Sequence, residues 1–278
     1  MIFTDKTVVI SGATRGIGKA IALKLAAAGA NIVIAAKSVT ENEKLGGTIY
    51  SAAEEVNAAG GKALPVACDV RAEDQVKKVM EAAAATFGGI DILVNNASAI
   101  SLTDTASTPQ KRYDLMQEIN VRGSFLMVQA ALPYLKKSAN AHILTLSPPI
   151  NLHPKWLAPH IAYTISKYNM SLLTLAWAAE FKNLPIAANA LWPKTTIDTA
   201  AVRNLLGGQA LASRSRTPQI VADAAFFILQ KNAASCTGNC FLDEEVLSAE
   251  GITDFTPYAV TPGGPLYTDL FLDDGDIS

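Results

Sequence analysis

Residues 7–18 read Thr7-Val8-Val9-Ile10-Ser11-Gly12-Ala13-Thr14-Arg15-Gly16-Ile17-Gly18, and this stretch decides the fold. A short apolar run closes in a turn with glycines at 12, 16 and 18. From Gly18 to Ala28 the apolar residues recur at helical spacing, and the pattern stops at Gly29. The stretch therefore predicts a strand, a tight turn and a helix. Glycines in such a turn let the backbone approach a diphosphate, and the first turn of a helix offers free N–H groups and a partial positive charge. A glycine pattern is informative when it joins a strand to a helix, as it does here. Gly12, Thr14, Arg15, Gly16, Ile17 and Gly18 are thus expected to cradle the phosphates of a dinucleotide.

The same alternation continues outward. Apolar runs at Asn31–Ala36, Ala63–Ala67, Ile92–Val94, His142–Leu146, Ala187–Leu191 and Asn239–Leu242 alternate with helical patterns. The helical patterns fall at Ala52–Ala59, Glu73–Phe87 and, less sharply bounded, at 112–136, 162–182 and 218–231. Continuously apolar strands separated by helices imply a parallel sheet covered on both faces. Right-handed crossovers then give an α/β, doubly wound sheet of the Rossmann type with about seven strands. No linker or repeat divides the chain, so one domain is expected over 1–243, with 244–278 a loop-rich extension packed on it.

Composition narrows the function classes. The chain has 278 residues, 50% hydrophobic and 17% charged, with 23 Lys and Arg against 25 Asp and Glu. A net charge of −2 without basic clusters argues against a nucleic-acid partner, whose affinity rests on neutralising phosphates. No apolar run reaches the roughly 20 residues a membrane helix needs, and MIFTDKTVVISG lacks the features of a secretory leader. Three cysteines, Cys68, Cys236 and Cys240, make no disulfide framework, and with no His at ligand spacing they make no metal site. A reducing, cytoplasmic setting is expected.

The second strand ends Ile34-Ala35-Ala36-Lys37-Ser38. An acidic residue there would bind both ribose hydroxyls of NAD. None is present, whereas Lys37 and the nearby Arg15 would attract a 2′-phosphate, so NADP is expected. Lys44 falls in a loop that the pattern does not place.

The motifs SGATRGIG at 11–18, CDV at 68–70, NNAS at 95–98, Asn120 and YTISK at 163–167, in this order, resemble the short-chain dehydrogenase/reductase family over nearly the full chain. The stretches at 147–156, 190–201 and 258–273 are similar to a branch in which the dehydrogenase part precedes a sterol-carrier domain. The chain is expected to end before such a domain. The resemblance implies that Asp69, followed by Val70, meets the adenine amino group, and that Asn96, Ala97 and Ser98 line the cofactor, with Ser98 replacing the usual Gly. It also implies that Tyr163 is the acid or base, that Lys167 lowers its pKa and binds the nicotinamide ribose, and that Asn120 holds a relay water. Tyr163 and Lys167, four apart, share one helix face. After the sixth strand, Trp192-Pro193-Lys194-Thr195-Thr196 stands in place of the family's usual Pro-Gly, and Thr195 or Thr196 is the candidate for the carboxamide. Lys194 has no assigned role. Trp156, Leu157, Trp192 and residues 202–212 are candidates for an apolar substrate wall or for ordinary core.

The family's catalytic Ser fits poorly. By strand register Ser147 matches the small residue before it, and Pro148 occupies the Ser position. Proline offers neither hydroxyl nor N–H. Either a local gap lets Ser147 serve, or the enzyme works without that donor. The expectation is an NADP-dependent oxidoreductase moving a hydride between nicotinamide and a lipid-like carbonyl or alcohol, assembled as a dimer or tetramer. The alternative is a non-catalytic NADP-binding sensor or scaffold.

Overall fold

A computed structural model describes residues 1–42 and 45–273 of the chain. The expected Lys44 lies outside the described residues. Seven strands, β1 (Thr7–Ser11), β2 (Asn31–Ala36), β3 (Lys62–Ala67), β4 (Ile92–Asn95), β5 (Ala141–Leu146), β6 (Ile186–Trp192) and β7 (Cys240–Leu242), form one sheet in the order β3-β2-β1-β4-β5-β6-β7. Every pairing is parallel. The order reverses between β1 and β4, which makes the crevice at their carboxyl ends the place where a ligand belongs in such a sheet.

The helices are α1 (Gly16–Ala27), α2 (Ile49–Ala58), α3 (Glu73–Phe87), α4 (Gln110–Met116), α5 (Ser124–Leu135), α6 (Pro154–Leu157), α7 (Ile161–Glu180), α8 (Gly208–Ala212), α9 (Gln219–Ile228) and α10 (Asp243–Ala249). Side chains alternate across the sheet. Val8, Ile10, Ile32 and Ile34 pack with Ile21 and Leu25 of α1 and Ile220 and Ile228 of α9 on one face. Val9, Val33 and Leu93 pack with Val76 and Met80 of α3, Met127 of α5 and Trp177 of α7 on the other. Because strands are buried on both faces, period-two polarity disappears, as the apolar runs predict. Pro65 is accommodated because β3 is an edge strand.

Four local features add to or depart from the sequence expectations. Helix α2 starts at Ile49 rather than Ala52, since Thr48 and Ser51 cap each other reciprocally. The single helix expected over 112–136 is interrupted by a π-helical turn, Gln117–Gly123, which carries Asn120. Residues 202–212 form a π turn, Val202–Leu206, followed by α8. The extension over 244–278 does not begin as a loop: α10 starts at Asp243, and three acids in its first turn suit the helix dipole. The remainder, to residue 273, is a strap that returns to the carboxyl ends of β5 and β6.

Candidate active site

The turn after β1 is held by one side chain from the neighbouring strand end. Asn96 Nδ2 donates to the carbonyls of Ser11 (2.9 Å) and Gly12 (3.0 Å), while Ser11 Oγ accepts from the N–H groups of Asn96 and Ala97. Gly12 and Gly16 take positive φ, +72° and +55°, a backbone that glycine adopts freely. Helix α1 has no side-chain cap and no acid in its first turn, so its start carries the exposed partial positive charge of a helix end.

This turn floors a cleft of about 400 Å³ that also takes in Thr14, Arg15, Ile17, Lys37, Asp69, Val70, Asn96, Ala97 and Ser98. At its rim Arg15 donates to Ser38 Oγ at 2.6 Å. Asp69 already has a partner. Its carboxylate accepts from Arg71 Nε (2.9 and 3.1 Å) and Nη2 (2.6 Å), which holds it below the usual carboxylate range. The uncapped helix start, the glycine turn and the cationic rim fit the diphosphate of a dinucleotide.

The cleft continues into a smaller cavity of about 190 Å³, sharing Ile17, Asn96, Ser98, Thr199 and Ala201 with it. Tyr163, Lys167, Pro193 and Thr196 line this cavity, together with Ile100, Leu146, Trp192, Ile197, Val202, Leu206, Asp269 and Leu270. Lys167 Nζ donates to the carbonyl of Leu146 at 2.7 Å and sits 5.2 Å from the centre of the Trp192 ring. Burial lowers the Lys167 pKa to about 7, opposed by attraction to Asp269. The Tyr163 phenol is pushed well above its usual value by burial and by the charge of Asp269. It is held in place by Phe271, whose ring stacks on it at 6.2 Å and 29°, and by His160 edge-on at 6.4 Å.

Several expected residues lie elsewhere. Ser147 lines neither cavity. Its hydroxyl is fully buried without a partner, because the chain after β5 dives under α7, where Ser171 Oγ donates to the Pro148 carbonyl at 2.6 Å. Asn120 also lines neither cavity. Its Oδ1 accepts from Ala99 N–H (2.8 Å) and its Nδ2 donates to Ala99 O (3.0 Å) and Ser166 Oγ (2.9 Å), tying the loop after β4 to α7. Thr195 pairs by backbone with Thr268 and buries an unpartnered hydroxyl, whereas Thr196 reaches the cavity with its hydroxyl against Ser215 (2.8 Å). Lys194 acquires a role as well: its ammonium pairs with Glu244 (3.6 Å), which also pairs with Arg216, and its N–H donates to Asp243. It is a tie between the β6 exit and α10. Trp156 and Leu157 pack around Phe271 behind the cavity, while Trp192, Val202 and Leu206 form part of its wall.

Sequence reasoning missed the strap, and with it Asp269 and Leu270. The strap is fixed by Trp192 Nε1 donating to Leu270 O (3.1 Å), Asp269 N–H to Lys194 O (3.0 Å) and Asn151 Nδ2 to Phe271 O (3.3 Å). The sequence offered the similarity over 258–273 and the apolar run Leu270-Phe271-Leu272, but neither marks Asp269 as a cavity residue.

A family model described as short chain dehydrogenase matches residues 6–209. The chain belongs to the short-chain dehydrogenase family. It is 59% identical over 268 residues to hydroxysteroid dehydrogenase-like protein 2 of Homo sapiens, covering 96% of this chain and 63% of that protein's length. A crystal structure of a short chain dehydrogenase from Mycobacterium thermoresistibile superposes with a TM-score of 0.92 at 50% identity, over 97% of this chain and 96% of the other. A metagenomic short-chain oxidoreductase crystallised in complex with NADP superposes with a TM-score of 0.71 at 25% identity, over 87% and 98%. Membership in this family supports an oxidoreductase reading, and the chain spans less than two thirds of the length of that human relative. Among the described residues, no helix is long and apolar enough to cross a membrane.

Proposed function

We propose that the chain is an NADP(H)-dependent oxidoreductase that interconverts an apolar, lipid-like carbonyl compound and its alcohol, with Tyr163 as the proton donor or acceptor. One observation carries this reading: Tyr163 and Lys167 share a mostly apolar cavity that opens from a nucleotide cleft whose β2 end presents Arg15 and Lys37 and no carboxylate. A 2′-phosphate gains from two cations there, and a carboxylate that would repel it is missing. The crystallised relative with NADP supports the same choice.

The nucleotide would be held by the 12–18 turn, Arg15, Lys37, Asn96 to Ser98 and the Thr196 region, and when bound it supplies the hydride. The residues of the chain supply the proton and the setting. The raised phenol of Tyr163 stays protonated across the physiological range, so it can give its proton to the carbonyl oxygen as the alcohol forms. Lys167, one turn on along α7 and lining the same cavity, would when charged favour the phenolate left behind. The wall of Ile100, Leu146, Trp192, Val202, Leu206 and Leu270 excludes water and favours an apolar substrate.

Exposed Tyr113, Phe125, Ile165 and Leu172 on α4, α5 and α7 support self-association as part of the reading, and three unpaired cysteines support a reducing, cytoplasmic setting. The withdrawal of Ser147 from the cavity favours a second reading, a protein that binds NADP without turnover. The test is NADPH fluorescence titration with a panel of medium- and long-chain aldehydes and ketones. Binding with NADPH consumption on apolar carbonyls is the expected result. Tight binding with no consumption across the panel would establish the second reading.

A further inference from the structure

We propose that Asp269, presented by the C-terminal strap, is a further catalytic residue that donates the second hydrogen bond to the substrate oxygen beside Tyr163. The inference rests on the carbonyl-reducing reading given above and adds a residue to it.

Three geometric observations converge. First, Asp269 lines the same small cavity as Tyr163 and Lys167. Second, one of its carboxyl oxygens accepts from Leu270 N–H at 2.7 Å, while the other takes no hydrogen bond among the described residues. Third, the residue is not on a loose tail. The backbone bonds at Lys194 and Leu270 bracket it, and Phe271 stacks against the Tyr163 ring, so carboxyl and phenol are held in one assembly. Over the same cavity the position after β5 offers nothing, since Ser147 is buried away and Pro148 has no donor. A carbonyl oxygen that gains charge as hydride arrives needs donors aimed at it. Of the other polar side chains around the cavity, Asn96 holds the glycine turn and Thr196 bonds Ser215, while Ser98 and Thr199 also line the wall shared with the nucleotide cleft; Asp269, on the strap that carries Phe271 against Tyr163, is the group we place beside Tyr163 for that task.

The chemistry of the carboxyl agrees. It donates only when protonated, and burial pushes its pKa up to about 7, opposed by attraction to Lys167. The titratable groups around it are Tyr163 and Lys167 from α7. His160 lies behind Tyr163, and Lys194 on the β6 exit turns its ammonium away to Glu244.

The test compares Asp269→Ala and Asp269→Asn with the unaltered protein and with Tyr163→Phe in NADPH-dependent carbonyl reduction, with NADPH affinity measured by fluorescence. Losing an oxyanion donor costs roughly 10²–10³ in kcat, so D269A is expected to fall by that factor while its NADPH affinity stays within about twofold. Asn keeps an N–H donor and the size of the side chain, so D269N is expected to recover most of the loss. Wild-type kcat in D269A overturns the proposal while leaving the role of Tyr163 intact. A loss confined to NADPH affinity overturns it as well. Full activity in Y163F overturns the reading of the site and this proposal with it.

Discussion

Removing Lys37 or Arg15 asks directly whether the nucleotide cleft selects a phosphorylated ribose. The two cations stand at the same rim, but they are not equivalent. Lys37 is exposed, whereas Arg15 is partly buried and its guanidinium is already oriented by Ser38 at 2.6 Å. A hydrogen bond to a charged group contributes about 1.5–3 kcal/mol. The exposed, screened Lys37 belongs at the low end, so Lys37→Ala should weaken NADPH about tenfold. The pre-oriented Arg15 belongs at the upper end, so Arg15→Ala should weaken it by roughly a hundredfold. The double variant should lose less than the product, because both cations answer one phosphate. NADH, with a hydroxyl in place of that phosphate, should change by no more than about threefold in the Lys37 variant. Fluorescence titration with both nucleotides at low and moderate salt reads all four quantities, and the NADPH preference of the unaltered protein should shrink as salt rises. Equal losses for NADH and NADPH would refute the reasoning, since the cations would then be serving the shared diphosphate or the fold.

Two further predictions concern stability. In Gly18→Ala the new Cβ would clash with Asn96 Nδ2 and lie 2.8 Å from Gly12 O. Displacing the Asn96 clamp should cost about 3 kcal/mol, lower the melting temperature by roughly 5–10 °C and weaken both nucleotides, as calorimetry and titration would show. His142 is buried in β5, and burial lowers its pKa to about 4. Its folded pKa lies below the unfolded one, so its contribution is full above about pH 6.5 and is lost as the pH falls toward 4. Denaturant titrations at pH 7 and 5 should show the unaltered protein losing about 2 kcal/mol more than His142→Gln. Equal losses would show that His142 does not titrate on unfolding as its burial implies.

The sheet was legible because its signals are local and mutually consistent. Glycine after each of the first three helices, continuous apolar strands and the strand–turn–helix at 7–18 left one architecture. The floor of the nucleotide cleft was legible for the same reason, since the glycine turn and the absence of a carboxylate after β2 are contiguous features. What the chain brings together over long separations was not legible. Asp269 reaches Tyr163 through a strap that shows no periodic pattern, and its placement depends on Trp192, Asn151 and Lys194 receiving its backbone. Ser147 illustrates the converse. Strand register placed it correctly beside β5, but register does not reveal that Pro148 and Ser171 carry the chain under α7 and bury its hydroxyl. Lys194 looked unassigned because its partner Glu244 opens a helix the sequence reading left as loop. Asn120 matched the family motif, yet its side chain is spent on Ala99 and Ser166.

The central claim is that Tyr163 gives the proton while hydride reaches a carbonyl carbon in this cavity. The most direct measurement is single-turnover reduction of an apolar aldehyde with NADPH carrying deuterium at nicotinamide C4, followed by mass analysis of the alcohol, for the unaltered protein and Tyr163→Phe. One deuterium is expected on the alcohol carbon for the unaltered protein, with a rate at least about 10²-fold lower in Y163F and NADPH affinity preserved. NADPH oxidised without deuterium in the product, or an unchanged rate in Y163F, would contradict it.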